Sequence, residues 1–409
     1  MFAIKRRSTP HSLPERKVLG ATSLAHLYHD GVTDMHYLLF TLWQQQFGLT
    51  MTQIGLLKAL FSGSLAIWQI PAGELGKRFG ERKLLIAGTL LLSSALFLYG
   101  FSSGIMQLMA LIIVGGMGAS VQHPLASSYI SHTFTTRQTR MALSTYNFFG
   151  DVGKSLIPTA ISGLLLILAW GTSVQVIALA GFLVAAGLRW LLPKQPMERT
   201  AISRASPAEP HAPPGESFRA APALAEGKRK LAFSSLCLIG SLDNATRSGT
   251  LTFLPFLLAA KGATAANVGM ALTTIFIGGA CGKLVCGALA PRLGILRTVA
   301  ISELITAGII IALLFTPLSV SFLLFIPLGI VLNGTSSILY GTVAELAKPG
   351  QQTRAFAIFY TLSLGCGAVM PIFYGALSDH IGIMPALLFV ALLLMCVLPL
   401  LLPLRVISR

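Results

Sequence analysis

Twelve long apolar segments, separated by short polar stretches, follow one another along the chain. They lie at residues 19–45, 52–77, 83–102, 105–132, 138–168, 172–192, 231–258, 266–290, 296–316, 319–346, 354–377 and 383–404. Each segment is long enough to cross a bilayer as a helix, which takes about 20 residues. The pattern therefore predicts an all-α polytopic membrane protein with twelve transmembrane helices.

Polar positions interrupt the first segment at helical spacing. His26, Asp30 and Asp34 recur every four residues, so they share one face of a helix. Ionisable groups at membrane depth are costly, and they normally face a bundle interior or a water-filled cavity. We therefore expect this face of the first helix to line the centre of the molecule.

The positive charge of the chain is concentrated in alternate loops. A net charge of +16 would be compatible with a nucleic-acid partner, because a basic surface is the usual footprint of one. The loops on one side, however, carry nearly all Lys and Arg residues, and the loops on the opposite side carry only Lys261. By the positive-inside rule this predicts that both termini lie in the cytoplasm, and no nucleic-acid partner is needed to explain the charge. The size of the chain and its lack of eukaryotic-type glycosylated loops indicate a bacterial inner (plasma) membrane.

The two halves of the chain repeat with an offset of 214 residues. This offset pairs Gly48, Thr50, Gly55, Gly73, Arg78, Gly80 and Lys83 with Gly262, Thr264, Gly269, Gly287, Arg292, Gly294 and Arg297. We therefore predict an N-terminal six-helix bundle (1–192), a Pro-rich cytoplasmic linker (193–230) and a C-terminal six-helix bundle (231–409). Parallel repeats of this kind are typical of secondary transporters, which bind substrate near the midplane between the halves.

The loop between the second and third segments, Gly73-Glu-Leu-Gly-Lys-Arg-Phe-Gly-Glu-Arg-Lys83, resembles the loop signature of the major facilitator superfamily, G-x-L-[AG]-D-[RK]-x-G-[RK]-[RK]. The resemblance implies a gating role for Gly73, Arg78, Gly80, Arg82 and Lys83. Lys77 stands where the signature has Asp, so we expect Glu74 or Glu81 to supply the missing carboxylate. A similar run at 375–382 falls at the opposite side of the membrane, where we expect no such role.

Two further runs resemble those of fosmidomycin-resistance-type exporters of this superfamily. The runs are Gly116-Met-Gly-Ala-Ser-Val-Gln-His-Pro124 in the fourth segment and Tyr146-Asn-Phe-Phe-Gly-Asp-Val-Gly-Lys-Ser-Leu-Ile-Pro158 in the fifth. The resemblance implies the twelve-helix superfamily fold and export of a small compound. Asp151 and Lys154 stand where that pattern tends to be uncharged.

The ionisable residues inside the segments are the candidate site. We expect Asp30, Asp34 and His26 to carry coupling protons, because a carboxylate at membrane depth can take up and release a proton as water access alternates. Their partners are expected on other helices, such as Lys154 or Arg247. We expect substrate binding by Lys58, His123, Tyr146, Asn147, Asp151, Lys154, Asp243 and Arg247.

Two more modest interpretations of these charges remain open. Asp151 with Lys154, and Asp243 with Arg247, have the spacing of ion pairs along one helix. The His and Asp residues of the first helix also suit a transition metal, but one helix cannot close its coordination shell, so we expect no metal and no cofactor. Glu303 lies near a helix end, where we expect it to reach water.

The sequence contains no nucleophile elbow and no P-loop, so it predicts neither an enzyme nor an ATP-driven pump. We therefore expect a monomeric, proton-driven antiporter that exports a small anionic or zwitterionic compound. Two alternatives remain: a proton symporter that imports a metabolite or metal chelate, and a membrane sensor or scaffold with no transport activity.

Overall fold

The structure, a computed structural model, describes residues 13–194, 226–348 and 351–407, and these residues form helices without any strand. Most of the predicted linker lies outside them. The first half contains α1 (Leu13–Phe47), α2 (Met51–Phe79), α3 (Glu81–Tyr99), α4 (Ile105–Ala119), α5 (Gln122–Thr133), α6 (Thr136–Leu164) and α7 (Trp170–Leu191). The second half contains α8 (Glu226–Ala260), α9 (Ala265–Leu293), α10 (Ile295–Phe315), α11 (Leu318–Leu346), α12 (Gln352–Ile381), α13 (Ile383–Leu394), α14 (Val397–Leu400) and the 3-10 turn Pro403–Ile407.

These helices form the twelve predicted transmembrane segments. The fourth segment is α4 followed by α5, and the twelfth is α13 followed by α14 and the 3-10 turn. Among the described residues, nine segments are long and apolar enough to cross a membrane by composition alone. The other three are α1, α6 and α8, in which charged side chains such as Asp30, Lys154 and Asp243 interrupt the apolar sequence.

The internal repeat is visible in how equivalent helices begin and end. Thr50 and Thr264 cap α2 and α9, and each side chain accepts a hydrogen bond from the backbone N–H three residues later. Gly80 and Gly294 join α2 to α3 and α9 to α10 with φ values of +93° and +85°. Glycine adopts this conformation without a steric penalty, which explains why both halves have glycine there.

Helices α1 and α6 pack closely because glycines lie between them. A Cβ on Gly153 would lie 2.0 Å from the backbone oxygen of Leu27, and one on Gly150 would lie 2.6 Å from the ring of His26. Small residues allow helices in a membrane to approach in this way. The close approach brings the polar face of α1 against the charged residues of α6.

The two bundles meet at the end of the molecule opposite the basic loops, which we call the neutral end. On α2 and α12, a Cβ on Gly55 would lie 2.2 Å from the backbone oxygen of Pro371. On α6 and α9, the Thr159 and Thr273 hydroxyls are 2.7 Å apart. These contacts between the bundles thus lie in the neutral-end halves of the four helices.

A carboxylate joins the bundles at the neutral end. Asp379, at the end of α12, accepts hydrogen bonds from the backbone N–H groups of Met51 (2.7 Å) and Thr52 (2.9 Å) and from the Thr52 hydroxyl (2.5 Å). Negative charge at a helix N-terminus is favourable. Asp379 belongs to the run at 375–382, so this run has a cross-bundle contact that the sequence did not predict.

Replacing Gly153 with Ala is expected to destabilise the protein by about 1–3 kcal/mol, because overpacking forces α1 and α6 apart. Thermal unfolding of the purified protein in detergent measures the effect. Gly163→Ala in the same helix is the control, because a Cβ there meets nothing within 4 Å. Equal stability of the two variants would contradict the packing argument.

Asp379→Ala is expected to loosen the neutral end, because loss of a helix cap costs about 0.5–2 kcal/mol. Spin labels at Phe101 and Phe315, which are exposed near this end in the two bundles, should move apart in pulsed EPR of a background without the native cysteines. His380→Ala, on the neighbouring exposed residue, should leave the distance unchanged. An unchanged distance in Asp379→Ala would show that this contact does not hold the bundles together.

Candidate functional site

Asp30 lies at the centre of a cluster formed by α1, α5 and α6. It is 9% exposed. One carboxylate oxygen is 3.3 Å from His26 Nε2 and 3.6 Å from His123 Nε2, and the other is 3.4 Å from Lys154 Nζ. The predicted partnership between Asp30 and Lys154 is confirmed, and Arg247 forms no ion pair with Asp30 within 4 Å in the described part of the chain.

The orientation of His26 shows where a proton can reside. His26 Nδ1 is 2.8 Å from the backbone oxygen of Tyr146, and a carbonyl can only accept, so Nδ1 carries a hydrogen. In the neutral ring Nε2 is then an acceptor that faces the Asp30 carboxylate, which is also an acceptor. This contact becomes favourable when a proton is added to either group.

Neighbouring residues hold the His26 ring in this position. The ring stacks on Tyr146 with centroids 3.9 Å apart, and Gly150 leaves room for it. Tyr146 is buried and donates to the backbone oxygen of Gln122 (3.3 Å). Tyr146 therefore lies behind His26, whereas Asn147, the next residue on α6, is exposed.

Lys154 links the Asp30 cluster to the other bundle. Its Nζ is 3.4 Å from Asp151 Oδ1, as the helical spacing predicted, and Asp151 Oδ2 is 2.7 Å from Lys283 Nζ on α9. Asp30, Lys154, Asp151 and Lys283 thus form a chain of alternating charges that crosses from one bundle to the other. The Lys283 side chain is 44% exposed near the middle of its helix, which is consistent with a water-accessible cleft between the bundles.

A second group of charges lies around Asp34. Asp34 forms no hydrogen bond or ion pair among the described residues, and its charged neighbours include Lys154, Lys58 and Arg247. Lys58 is 8% exposed and lies over the Tyr37 ring at 4.8 Å. Within the described ranges, no carboxylate lies within 4 Å of Lys58, so this buried cation is not neutralised by a direct ion pair.

The pair predicted along α8 is not formed. Arg247 donates from Nη2 to Asn244 Oδ1 at 2.7 Å, and Asp243 forms no ion pair with it within 4 Å. Asp243 instead hydrogen-bonds Glu303 on α10. The expectation that Glu303 reaches water is wrong, because its side chain is 2% exposed. The position of Glu303 near the end of a predicted helix did not indicate that its side chain is buried.

The donor set around Asp30 fits a proton better than a metal ion. The ligand atoms of His26, Asp30 and His123 lie within 4.8 Å of one another, and two imidazoles with a carboxylate suit a transition metal. The Lys154 ammonium, however, is already 3.4 Å from the same carboxylate and would repel a cation. His29 is not part of this group of ligand atoms, and its Nε2 is 3.0 Å from the Thr89 hydroxyl on α3.

The loop between α2 and α3 is tied to its own bundle. Arg82 donates to the backbone oxygen of Arg189 on α7, and Glu81 accepts from Ser128 on α5. Glu74 pairs with Lys77 at 2.8 Å, and both are exposed. The gating role of Gly73, Arg78, Gly80, Arg82 and Lys83 stays a prediction.

Comparisons with known proteins agree with this architecture. A fosmidomycin resistance protein of Escherichia coli (strain K12) is 24% identical over 368 residues, which are 90% of this chain and 87% of that protein. A D-galactonate transporter of Escherichia coli O6:H1 is 25% identical over 85% of each chain. A probable L-galactonate transporter of strain K12 is 25% identical over a shorter stretch, 40% of this chain and 36% of its own length.

The crystal structure of a bacterial homologue of the human lysosomal transporter Spinster, in an inward-facing and occupied conformation, superposes with a TM-score of 0.79 at 16% identity, covering 97% of this chain and 98% of that one. The sequence model of the Major Facilitator Superfamily matches residues 22–365 and 236–408. The chain therefore belongs to the Major Facilitator Superfamily and is an integral membrane transporter, not an enzyme.

Proposed function

We propose that this transporter couples the movement of a small organic anion to protons, and that the His26–Asp30 pair is the coupling proton site. The observation that supports this most directly is the hydrogen bond from His26 Nδ1 to Tyr146. It leaves Nε2 facing Asp30 at 3.3 Å, so binding and release of one proton changes this contact from repulsive to attractive.

Three cations support an anionic substrate. Lys58 and Arg247 have no carboxylate within 4 Å among the described residues, and Lys154 is shared between two carboxylates. Guanidinium and ammonium groups in a low-dielectric site bind anions strongly. The names of relatives agree in chemical class, since galactonate and sulfoacetate are organic anions.

Proton and anion binding are linked through Lys154. While the His26–Asp30 pair lacks a proton, the Asp30 carboxylate attracts the Lys154 ammonium 3.4 Å away. A proton on the pair weakens this attraction and frees Lys154 to bind a substrate anion. Each ligand then alters the affinity for the other by the same factor.

We propose export in exchange for protons, by a monomer in a bacterial inner membrane with both termini in the cytoplasm. The similarity to the fosmidomycin resistance protein, which covers 90% of this chain, supports this direction. The second candidate is import together with protons. It is favoured by the Lys154 geometry, in which a proton promotes anion binding. Membership of a transporter superfamily argues against a sensor or scaffold.

The direction of coupling is expected to be visible in proteoliposomes that contain a fluorescent pH indicator. Addition of fosmidomycin, galactonate or sulfoacetate outside should make the lumen more alkaline for antiport and more acidic for symport. Asp30→Asn is expected to abolish the pH change and to retain exchange of labelled substrate for unlabelled substrate. A full pH change in this variant would exclude Asp30 as the coupling site.

Lys154→Ala and Arg247→Ala are each expected to raise the KM for anion exchange at least about tenfold, which corresponds to about 1.4 kcal/mol of lost binding free energy. Labelled-substrate exchange in proteoliposomes measures this. Lys228→Ala, at an exposed lysine at the start of α8, is the matched control and should leave the KM unchanged. Unchanged KM values in both site variants, at normal expression, would contradict the anion assignment.

A further inference from the structure

A second buried acidic pair lies in the C-terminal bundle. Asp243 on α8 is 5% exposed and Glu303 on α10 is 2% exposed. Their side chains hydrogen-bond each other. A carboxylate can only accept, so a hydrogen bond between two carboxyl groups requires a proton on one of them. We therefore expect the pair to share at least one proton.

The helices packed around the pair carry few other groups that could stabilise a negative charge on Asp243 or Glu303. Thr335 on α11 hydrogen-bonds Glu303, and Arg247 acts on both carboxyl groups electrostatically without an ion pair. The remaining titratable neighbours are Cys286 on α9, which acts on Glu303, and Tyr340 on α11, which acts on Asp243. No fixed cation within 4 Å holds the pair in its fully ionised form among the described residues.

One oxygen of the pair has no protein partner. Glu303 Oε1 is fully buried and accepts no hydrogen bond from the described protein atoms. Leaving a buried polar atom unpartnered costs about 1–3 kcal/mol, so such an atom calls for an explanation. A carboxyl oxygen that is free to take up a proton provides one.

The pair is connected to the space around Arg247. Asp243 and Arg247 line the same narrow crevice with Ser336 and Tyr340 of α11 and Ser363 of α12. Glu303 does not line it and lies behind Asp243. Asp243 is therefore the member of the pair that faces Arg247.

The position of the pair mirrors the proton site of the N-terminal bundle. The offset of 214 residues pairs Asp30 with Asn244 and His29 with Asp243. Asn244 has an amide where Asp30 has a carboxylate, and its Nδ2 donates to the backbone oxygen of Ser363 at 2.9 Å. In the second half of the chain, the acidic residue at this position of the repeat is therefore Asp243, one residue before the equivalent of Asp30.

We propose that Asp243 and Glu303 form a second proton-binding site, whose charge controls Arg247. With one proton the pair carries a single negative charge, and Arg247 stays on Asn244 with its other N–H groups directed to an anion. Loss of that proton leaves two negative charges on the pair, and these draw the guanidinium away from the substrate position. The effect on transport rests on the proposed function, whereas the shared proton does not.

Infrared difference spectra of the purified protein, recorded between acidic and alkaline buffer, test the shared proton directly. Glu303→Gln and Asp243→Asn should each remove one hydrogen-bonded carboxylic acid band, because the new amide donates the hydrogen bond and the remaining carboxylate no longer needs a proton. Glu226→Gln, on an exposed carboxylate at the start of α8, is the control and should retain the band. A band that persists in both pair variants would overturn the proposal.

A second measurement separates this proposal from the proposed function. In proteoliposomes, Glu303→Gln should lower the number of protons moved per substrate by about one relative to the wild type. If Asp30→Asn leaves coupling intact while the pair variants lose both the band and a proton, Asp30 is not the coupling site and the second site stands. If the pair variants keep the proton count, the second site has no role in transport.

Discussion

A carboxylate at membrane depth must be compensated, and the organisation of this transporter follows from how Asp30 meets that requirement. Three helices contribute to it: α1 carries Asp30 and His26, α5 carries His123, and α6 carries Lys154. The glycines of α1 and α6 exist at this level because the charged partners have to approach within ion-pair distance. Close helix packing and charge compensation are therefore one constraint where α1 meets α6.

The two bundles handle buried acid in different ways. In the N-terminal bundle Asp30 is compensated by a lysine and two imidazoles, and the charges continue through Asp151 to Lys283 in the other bundle. In the C-terminal bundle Asp243 interacts with another carboxyl group, that of Glu303, and among the described residues no cation lies within 4 Å of it. A cation partner stabilises the ionised acid, and a carboxyl partner stabilises the protonated acid. The two halves thus share one architecture but differ in the groups that surround their buried acids.

Much of the fold was predictable from the sequence, because the length of an apolar segment reports a membrane crossing directly. The repeat predicted which glycines and threonines would end and begin helices. Helical spacing predicted that Asp30 shares a face with His26, but it could not identify His123 or Lys283 as partners, since contacts between helices depend on rotation and depth. For the same reason Glu303 was expected in water, and Asp379 was given no cross-bundle contact.

The glycine contacts between α1 and α6 also restrict how the molecule can move. The Cβ position of Gly153 is only 2.0 Å from a backbone oxygen of α1, so the two helix backbones are in direct contact and a displacement between them would have to break this packing. We therefore expect α1 and α6 to move together as the two faces of the membrane open in turn, with the displacement at the seam where α6 meets α9. The Asp151–Lys283 ion pair crosses that seam, so it is the contact that such a movement would change first.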